Sequence, residues 1–380
     1  MTQSPEVQST TAGDAAITQQ LARIWENTLG LESIGSDQNY FDLGGDSSLA
    51  VQMFAQIEKI FGVRLPLATL YEAPTIAELA LLLRSEAAPS GWSSLVAIQP
   101  SGSRPPLFCF HGAGGTVFIY HKLSRYLAAD QPLYGVQSRG LDGSCAPLTR
   151  IEDMAAVYVD EIRRVQPQGP YFLAGYCMGG TVAYEVAQQL HAAGESIALL
   201  ALFDTMNWHK IPLTFWSKSS HACQQWMFHA ASFLNLNFSG KAEFFKEKAA
   251  VLRNRVPVWR GMLLAKLGRK RSASVAPDWA VLGNIWQTND RAAWSYIPKP
   301  YPGTIVDFRP AKQYRVFDKP DLKWDRLAQE GQQVVVLPIN PASMLVEPFV
   351  KHLAVALRAF MDDAIKRWPS GKSREVAQSR

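Results

Sequence analysis

From Ala15 to Glu86 the apolar positions recur every three or four residues. Ile17, Leu21, Ile24, Trp25 and Leu29 line one face, Leu49, Val51, Met53, Phe54 and Ile57 a second, and Ile76, Leu79, Leu82 and Leu83 a third. That period predicts amphipathic helices, and the short Gly- and Pro-containing loops between them predict a small helical bundle over residues 15–86. Residues 1–14, rich in Ser, Thr and Gln, offer nothing to bury and read as a disordered tail. Residues 87–94 have the composition of a linker.

Beyond the linker the period changes. Leu95–Ile98, Leu107–Phe110, Leu133–Val136, Tyr171–Ala174 and Ile197–Phe203 are short apolar runs of strand type. Helical patterns over Ile151–Val165 and Thr181–Leu190 fall between them. Strands alternating with helices predict an α/β domain with a parallel sheet covered on both faces. The alternation stops between about residues 207 and 296, a stretch rich in aromatic and basic residues that reads as a helical lid insertion. Strand patterns return at Thr304–Phe308 and Gln333–Leu337, followed by a helix from about Glu347 to Met361. The second domain is therefore expected over 95–364, with a polar, flexible tail over 365–380.

Composition narrows the class. The 380 residues are 47% hydrophobic and 19% charged, which excludes a disordered or fibrous chain. Apolar runs such as Ile197–Phe203 fall far short of the ~20 residues that span a bilayer, and the polar first residues lack a secretory h-region. The expectation is a soluble, cytoplasmic protein with no membrane partner. Four cysteines (Cys109, Cys145, Cys177 and Cys223) show neither C-x-x-C pairing nor histidine spacing for a metal, so no metal site is expected. The net charge of +5 is unevenly spread: residues 1–90 hold eleven acids against four bases, and residues 241–271 ten bases against two acids. A basic stretch can bind nucleic acid. Here the acidic bundle in the same chain is the better partner, so nucleic acid is not expected.

Two local patterns carry chemistry. Asn39-Tyr-Phe-Asp-Leu-Gly-Gly-Asp-Ser-Ser-Leu49 places a glycine turn before the second helix, with Asp46 or Ser47 at its cap. Capping alone explains Asp-Ser locally. The longer string, with Leu-Tyr-Glu-Ala-Pro-Thr-Ile-Ala-Glu-Leu after it, closely resembles the modification motif of acyl and peptidyl carrier proteins. The resemblance implies a small four-helix-bundle carrier domain with 4′-phosphopantetheine on Ser47, installed by a phosphopantetheinyl transferase. A phosphate ester at a helix start is physically favoured, because helix N-termini stabilise anions.

Tyr171-Phe-Leu-Ala-Gly-Tyr-Cys-Met-Gly-Gly180 reads as strand, tight turn and helix, with G-x-C-x-G presenting Cys177 on a nucleophile elbow. The helix N-terminus behind it is expected to lower the thiol pKa. Phe108-Cys-Phe-His-Gly-Ala-Gly-Gly115 follows an earlier strand, where the backbone N–H of Ala113 would complete an oxyanion hole with that of Met178. His111 reads as structural. Asp204 ends the strand after Cys177, where a carboxylate faces the ligand crevice of an open sheet.

From Leu95 to about Phe360 the chain resembles the thioesterase domains that end nonribosomal peptide and polyketide assembly lines. The resemblance implies the α/β-hydrolase fold with a mobile lid, a Ser or Cys nucleophile and an acid at Asp204. It also implies upstream adenylation, condensation or ketosynthase modules that deliver an acyl or peptidyl chain. One position departs from the family. Its histidine, the general base, falls in a Pro-Gly-Asx-His segment before Ser-Met-Leu and Glu-Pro. Here Leu337-Pro-Ile-Asn-Pro-Ala-Ser-Met-Leu-Val-Glu-Pro348 puts Pro341 at that position. Three readings follow. The chain passes from Ser47 to Cys177 and leaves by transfer to a non-water nucleophile or by cyclisation. Alternatively, His209, His221 or His229 serves as a relocated base for hydrolysis, or the α/β domain is inactive and only docks the carrier.

Overall fold

The computed structural model describes residues 5–85, 92–210, 278–311, 324, 326–339 and 343–368. The expectations placed on most of the linker and lid, His221, His229, the basic stretch 241–271, Pro341 and the tail beyond residue 368 lie outside the described residues.

The N-terminal bundle holds α1 (Pro5–Leu29), α2 (Ser47–Phe61), α3 (Thr69–Glu72) and α4 (Ile76–Arg84). Helix α1 extends back through much of the stretch read as a disordered tail. Local chemistry sets the other helix ends. Asp46 caps α2 by accepting from the N–H groups of Ser48 and Leu49, and Gly62 closes it at φ 72°. Thr75 and Glu78 form a reciprocal capping box on α4. The apolar faces read from the sequence meet in one core around Trp25, Tyr40, Met53, Ile57, Leu70 and Leu79.

The second domain contains β1 (Leu95–Gln99), β2 (Leu107–Phe110), α5 (His121–Ser124), β3 (Leu133–Val136), α6 (Ile151–Val165), β4 (Tyr171–Tyr176), α7 (Met178–Ala192) and β5 (Ile197–Phe203). Then come α8 (Asp278–Ser295), β6 (Ile305–Pro310), β7 (Gln332–Leu337) and α9 (Val350–Arg367). The seven strands form one sheet in the order β1-β3-β2-β4-β5-β6-β7. Six run parallel, while β1 pairs antiparallel with β3, which corrects the all-parallel expectation. The connection from β1 to β2 is too short for a crossover helix, so the chain must reverse direction there.

Strand side chains alternate between the two faces. Phe108, Phe110, Tyr171, Leu173, Leu200 and Leu202 point into a core with α6 and α7. Leu107, Cys109, Phe172, Ala174, Leu199, Ala201 and Phe203 point the other way, toward α5 and α9. Both faces are apolar because both carry helices. The parallel strands direct the residues after β4, β5 and β7 to a single edge of the sheet, which brings Cys177 and Asp204 to the same side.

The two domains touch directly. Phe41 stacks on His121 with ring centroids 4.0 Å apart, and Phe118 meets Phe41 edge-on. The Tyr71 hydroxyl donates to the Val117 carbonyl at 3.3 Å, and Arg125 pairs with Asp42. Helix α2 also packs on α8, where Arg64 and Val281 border Gly143. Burial in this interface lowers the His121 pKa to about 4.

Candidate active site

Cys177 stands between β4 and α7 with φ 55° and ψ −121°, a conformation that non-glycine residues seldom adopt. Such a backbone costs on the order of 1–3 kcal/mol and needs surroundings that enforce it. Those surroundings are visible. The Cys177 N–H donates to the Phe203 carbonyl at 2.9 Å. A Cβ at Gly175 would lie 2.1 Å from Gly179, and one at Gly179 would lie 2.2 Å from the Phe110 carbonyl oxygen. The glycines of G-x-C-x-G are thus required by close backbone approach between β2, β4 and α7. Tyr120 adds a fixed buried bridge: its hydroxyl donates to the Phe110 carbonyl at 2.6 Å and accepts from the Tyr176 N–H at 2.9 Å.

The loop after β2 lies against this elbow. Its turn is closed by the Gly115 N–H donating to the Gly112 carbonyl at 2.9 Å, and Ala113 is buried within it. Met178, the first residue of α7, offers its N–H to the Cys177 thiol. Asp204, held at φ 44° after β5, and Asp290 of α8 are the charged groups that act on that thiol. The structure therefore brings Cys177, Met178 and Asp204 together and sets Ala113 in the adjoining loop.

Burial dominates the electrostatics. Cys177 is partly exposed as a residue, but its thiol is desolvated. Desolvation pushes the pKa up to about 12; the Met178 N–H opposes this, and Asp204 and Asp290 add to it. The expectation of a helix-lowered thiol pKa is corrected here: one favourable N–H loses to desolvation and two carboxylates.

Among the described residues, no histidine is among the groups that act on the Cys177 thiol. His111 is fully buried, with Nδ1 2.8 Å from the Gly112 carbonyl and Nε2 2.8 Å from the Tyr158 hydroxyl. Burial lowers its pKa to about 4, which fits a structural role. His121 lies in the domain interface and His191 against Tyr301, while His209 and His352 are exposed.

In the bundle, Ser47 is the first residue of α2 and is half-exposed. The turn before it needs both glycines: Gly44 takes φ 88°, and a Cβ at Gly45 would enter the Tyr40 ring. The Tyr40 hydroxyl in turn donates to the Asp46 carbonyl at 2.8 Å, which fixes the helix entry.

Comparison with known families matches this organisation. Residues 19–83 match the phosphopantetheine attachment site family, and residues 105–276 match the thioesterase domain family. The chain is a carrier–thioesterase didomain. It is 46% identical over 192 residues to malpinin synthetase of Mortierella alpina, covering 50% of this chain and 2% of that protein. It is 40% identical over 193 residues to a dimodular nonribosomal peptide synthase of Bacillus subtilis strain 168, covering 51% of this chain and 8% of that one. The didomain thus spans only a small part of these relatives' length. A four-domain nonribosomal peptide synthetase solved in its holo form with AMP and glycine aligns over 93% of this chain and 26% of its own. That alignment has a TM-score of 0.55 at 25% identity. The NocB thioesterase domain, solved as a covalent complex with a fluorophosphonate nocardicin G analogue, shares the fold. It aligns with a TM-score of 0.51 at 21% identity, over 71% of this chain and all of that domain.

The carrier domain of the didomain carries covalent 4′-phosphopantetheine. The start of α2 fits the group: Ser47 is accessible, and it opens the helix directly after the capping residue Asp46. Among the described residues no cluster could hold a metal ion, and no helix is long and apolar enough to cross a membrane.

Sequence patterns alone did not single out α8. Asn289 donates through Nδ2 to the Ala113 carbonyl at 3.0 Å, and Trp286, beside Gly114, donates through Nε1 to Asp290 at 3.1 Å. These residues lie more than a hundred positions from Cys177 within no recognisable motif, so only the fold could join them.

The raised thiol pKa has a measurable consequence. Alkylation of Cys177 by iodoacetamide should accelerate about tenfold per pH unit from pH 7 to 10 without levelling off, because the thiolate fraction keeps growing below a pKa of about 12. Peptide mapping against pH, with the half-exposed Cys145 as internal reference, tests this. A plateau for Cys177 below pH 9 contradicts the desolvated thiol.

Proposed function

We propose that the didomain ends the assembly of a nonribosomal peptide or polyketide-type product. An acyl or peptidyl chain reaches Cys177 from the carrier and leaves by transfer to a non-water nucleophile or by cyclisation. Supporting this reading is a thiol on a strained elbow whose charged neighbours are two carboxylates, Asp204 and Asp290. Pro341 at the family's histidine position points the same way, since proline cannot accept a proton.

Ser47 is the attachment residue, and the pantetheine thiol supplies the activated thioester of the incoming chain. Cys177 attacks its carbonyl carbon. The thiol proton passes to Asp204, the Sγ–acyl bond forms, and the donor carbon–sulfur bond breaks with return of that proton to the departing sulfur. The backbone N–H groups of Ala113 and Met178 bind the oxygen as it gains charge. Exchange of one thioester for another is nearly thermoneutral. In the second step an amine attacks the acyl-Cys177 carbonyl, a carboxylate takes its proton, and Cys177 leaves as its thiol. Water attacks poorly without a stronger base, whereas the anionic pocket favours a cationic ammonium acceptor. Activation requires a phosphopantetheinyl transferase, and upstream adenylation, condensation or ketosynthase modules deliver the chain.

Intact-protein mass spectrometry tests the reading. The didomain is converted to its pantetheinylated form, loaded with a generic acyl group, and followed with and without added amine. The expected result is acyl mapped to Cys177 and released mainly when amine is present. Release at the same rate in water alone shows that a base such as His209, His221 or His229 acts. An acyl group that never reaches Cys177 refutes transfer through this thiol.

A further inference from the structure

Helix α8 meets the loop after β2 through three consecutive contacts. Ile285 packs at Gly115, the Trp286 ring packs at Gly114, and the Asn289 amide donates to the Ala113 carbonyl at 3.0 Å. Asn289 is fully buried, and its Oδ1 has no hydrogen-bond donor among the described residues. Burying a polar group with an unmet acceptor is costly, and an apolar residue of similar size would avoid that cost. The amide nevertheless spends its one bond on the residue whose N–H faces the acyl oxygen in the proposed mechanism. Helix α8 also bears the carrier, through its packing on α2.

We infer that Asn289 is a positioning residue that holds Ala113 in the orientation needed to bind the developing oxyanion. It thereby ties that loop to the helix on which the carrier rests. The inference rests on Cys177 as the acyl acceptor. The Ala113 carbonyl shares its peptide plane with the Gly114 N–H, so by fixing it Asn289 restricts rotation about the Ala113 backbone bonds, which would otherwise turn the Ala113 N–H away from the elbow. Its effect is confined to steps in which a carbonyl oxygen gains charge. Attack of Cys177 on a thioester is such a step, and alkylation by iodoacetamide is not.

That difference separates positioning from general structural support. In the full chain, Asn289→Ala and Asn289→Leu should slow acylation of Cys177 by a small acyl-pantetheine thioester about tenfold or more. This is at or below the ~10²–10³ lost when an oxyanion donor itself is removed. The loss should fall on the rate at saturating thioester, with KM little changed, while the alkylation rate of Cys177 stays at the parent value. Equal loss of acylation and alkylation, failure of both variants to fold, or unchanged acylation each overturns the inference. Failure of the underlying reading is distinct: the acyl group would then be absent from Cys177 in the parent chain as well.

Discussion

Cys177→Ala is expected to strand the acyl group on the carrier. Ser47 should still be pantetheinylated and loaded, because the bundle has its own core and its own caps. Product release should fall about a thousandfold or more, the scale on which loss of a nucleophile is felt in related chemistry. Cys177→Ser should be nearly as poor. A hydroxyl is far harder to deprotonate than a thiol, and the groups facing this position are carboxylates that already oppose ionisation. The cleanest readout is single-turnover mass spectrometry, which reports the acyl group on its carrier and the released product together. Unchanged release from Cys177→Ala would mean that the α/β domain docks the carrier without taking the chain.

Pro341→His should convert the didomain toward hydrolysis. A positioned general base contributes typically ~10²–10⁴-fold, and water is the nucleophile that gains most from one. Release in the absence of amine should therefore rise by about a hundredfold, and the amine-dependent share of product should shrink. Pro341→Ala is the control: it removes the proline without adding a base, and its water-only release should stay near the parent rate. The measurement is the ratio of free acid to amide at fixed amine concentration. A parent-like ratio in Pro341→His would show that the proline is not what suppresses hydrolysis.

The carboxylates bear on both experiments. In a site with an imidazole between acid and nucleophile, Asp204 would orient the ring and hold its charge. Here burial first, and Asp204 and Asp290 after it, raise the thiol pKa, which disfavours the thiolate at neutral pH. In the proposed mechanism the substrate brings its own activation, as a thioester does, and the acceptor is one drawn to negative charge.

Much of this was legible along the chain, for reasons that are local. Helices and strands were visible because burial imposes a period, 3.6 in the bundle and near-continuous apolar runs in a doubly covered sheet. Ile151–Val165, Leu107–Phe110 and Ile197–Phe203 are the same in pattern and in structure. The turn before Ser47 and the elbow at Cys177 were equally plain, since Gly44, Gly45, Gly175 and Gly179 stand where the backbone admits no Cβ or takes an unusual φ. Three features were decided only by the tertiary structure. The antiparallel pairing of β1 depends on which strand lies beside it in space. The thiol pKa depends on how much water the assembled domain excludes and on Asp290, which arrives from α8. The clasp from Asn289 to Ala113 joins residues 176 positions apart. Short-range steric rules are written into neighbouring residues and can be read there, whereas dielectric, charge proximity and long-range hydrogen bonds exist only once the chain has closed on itself.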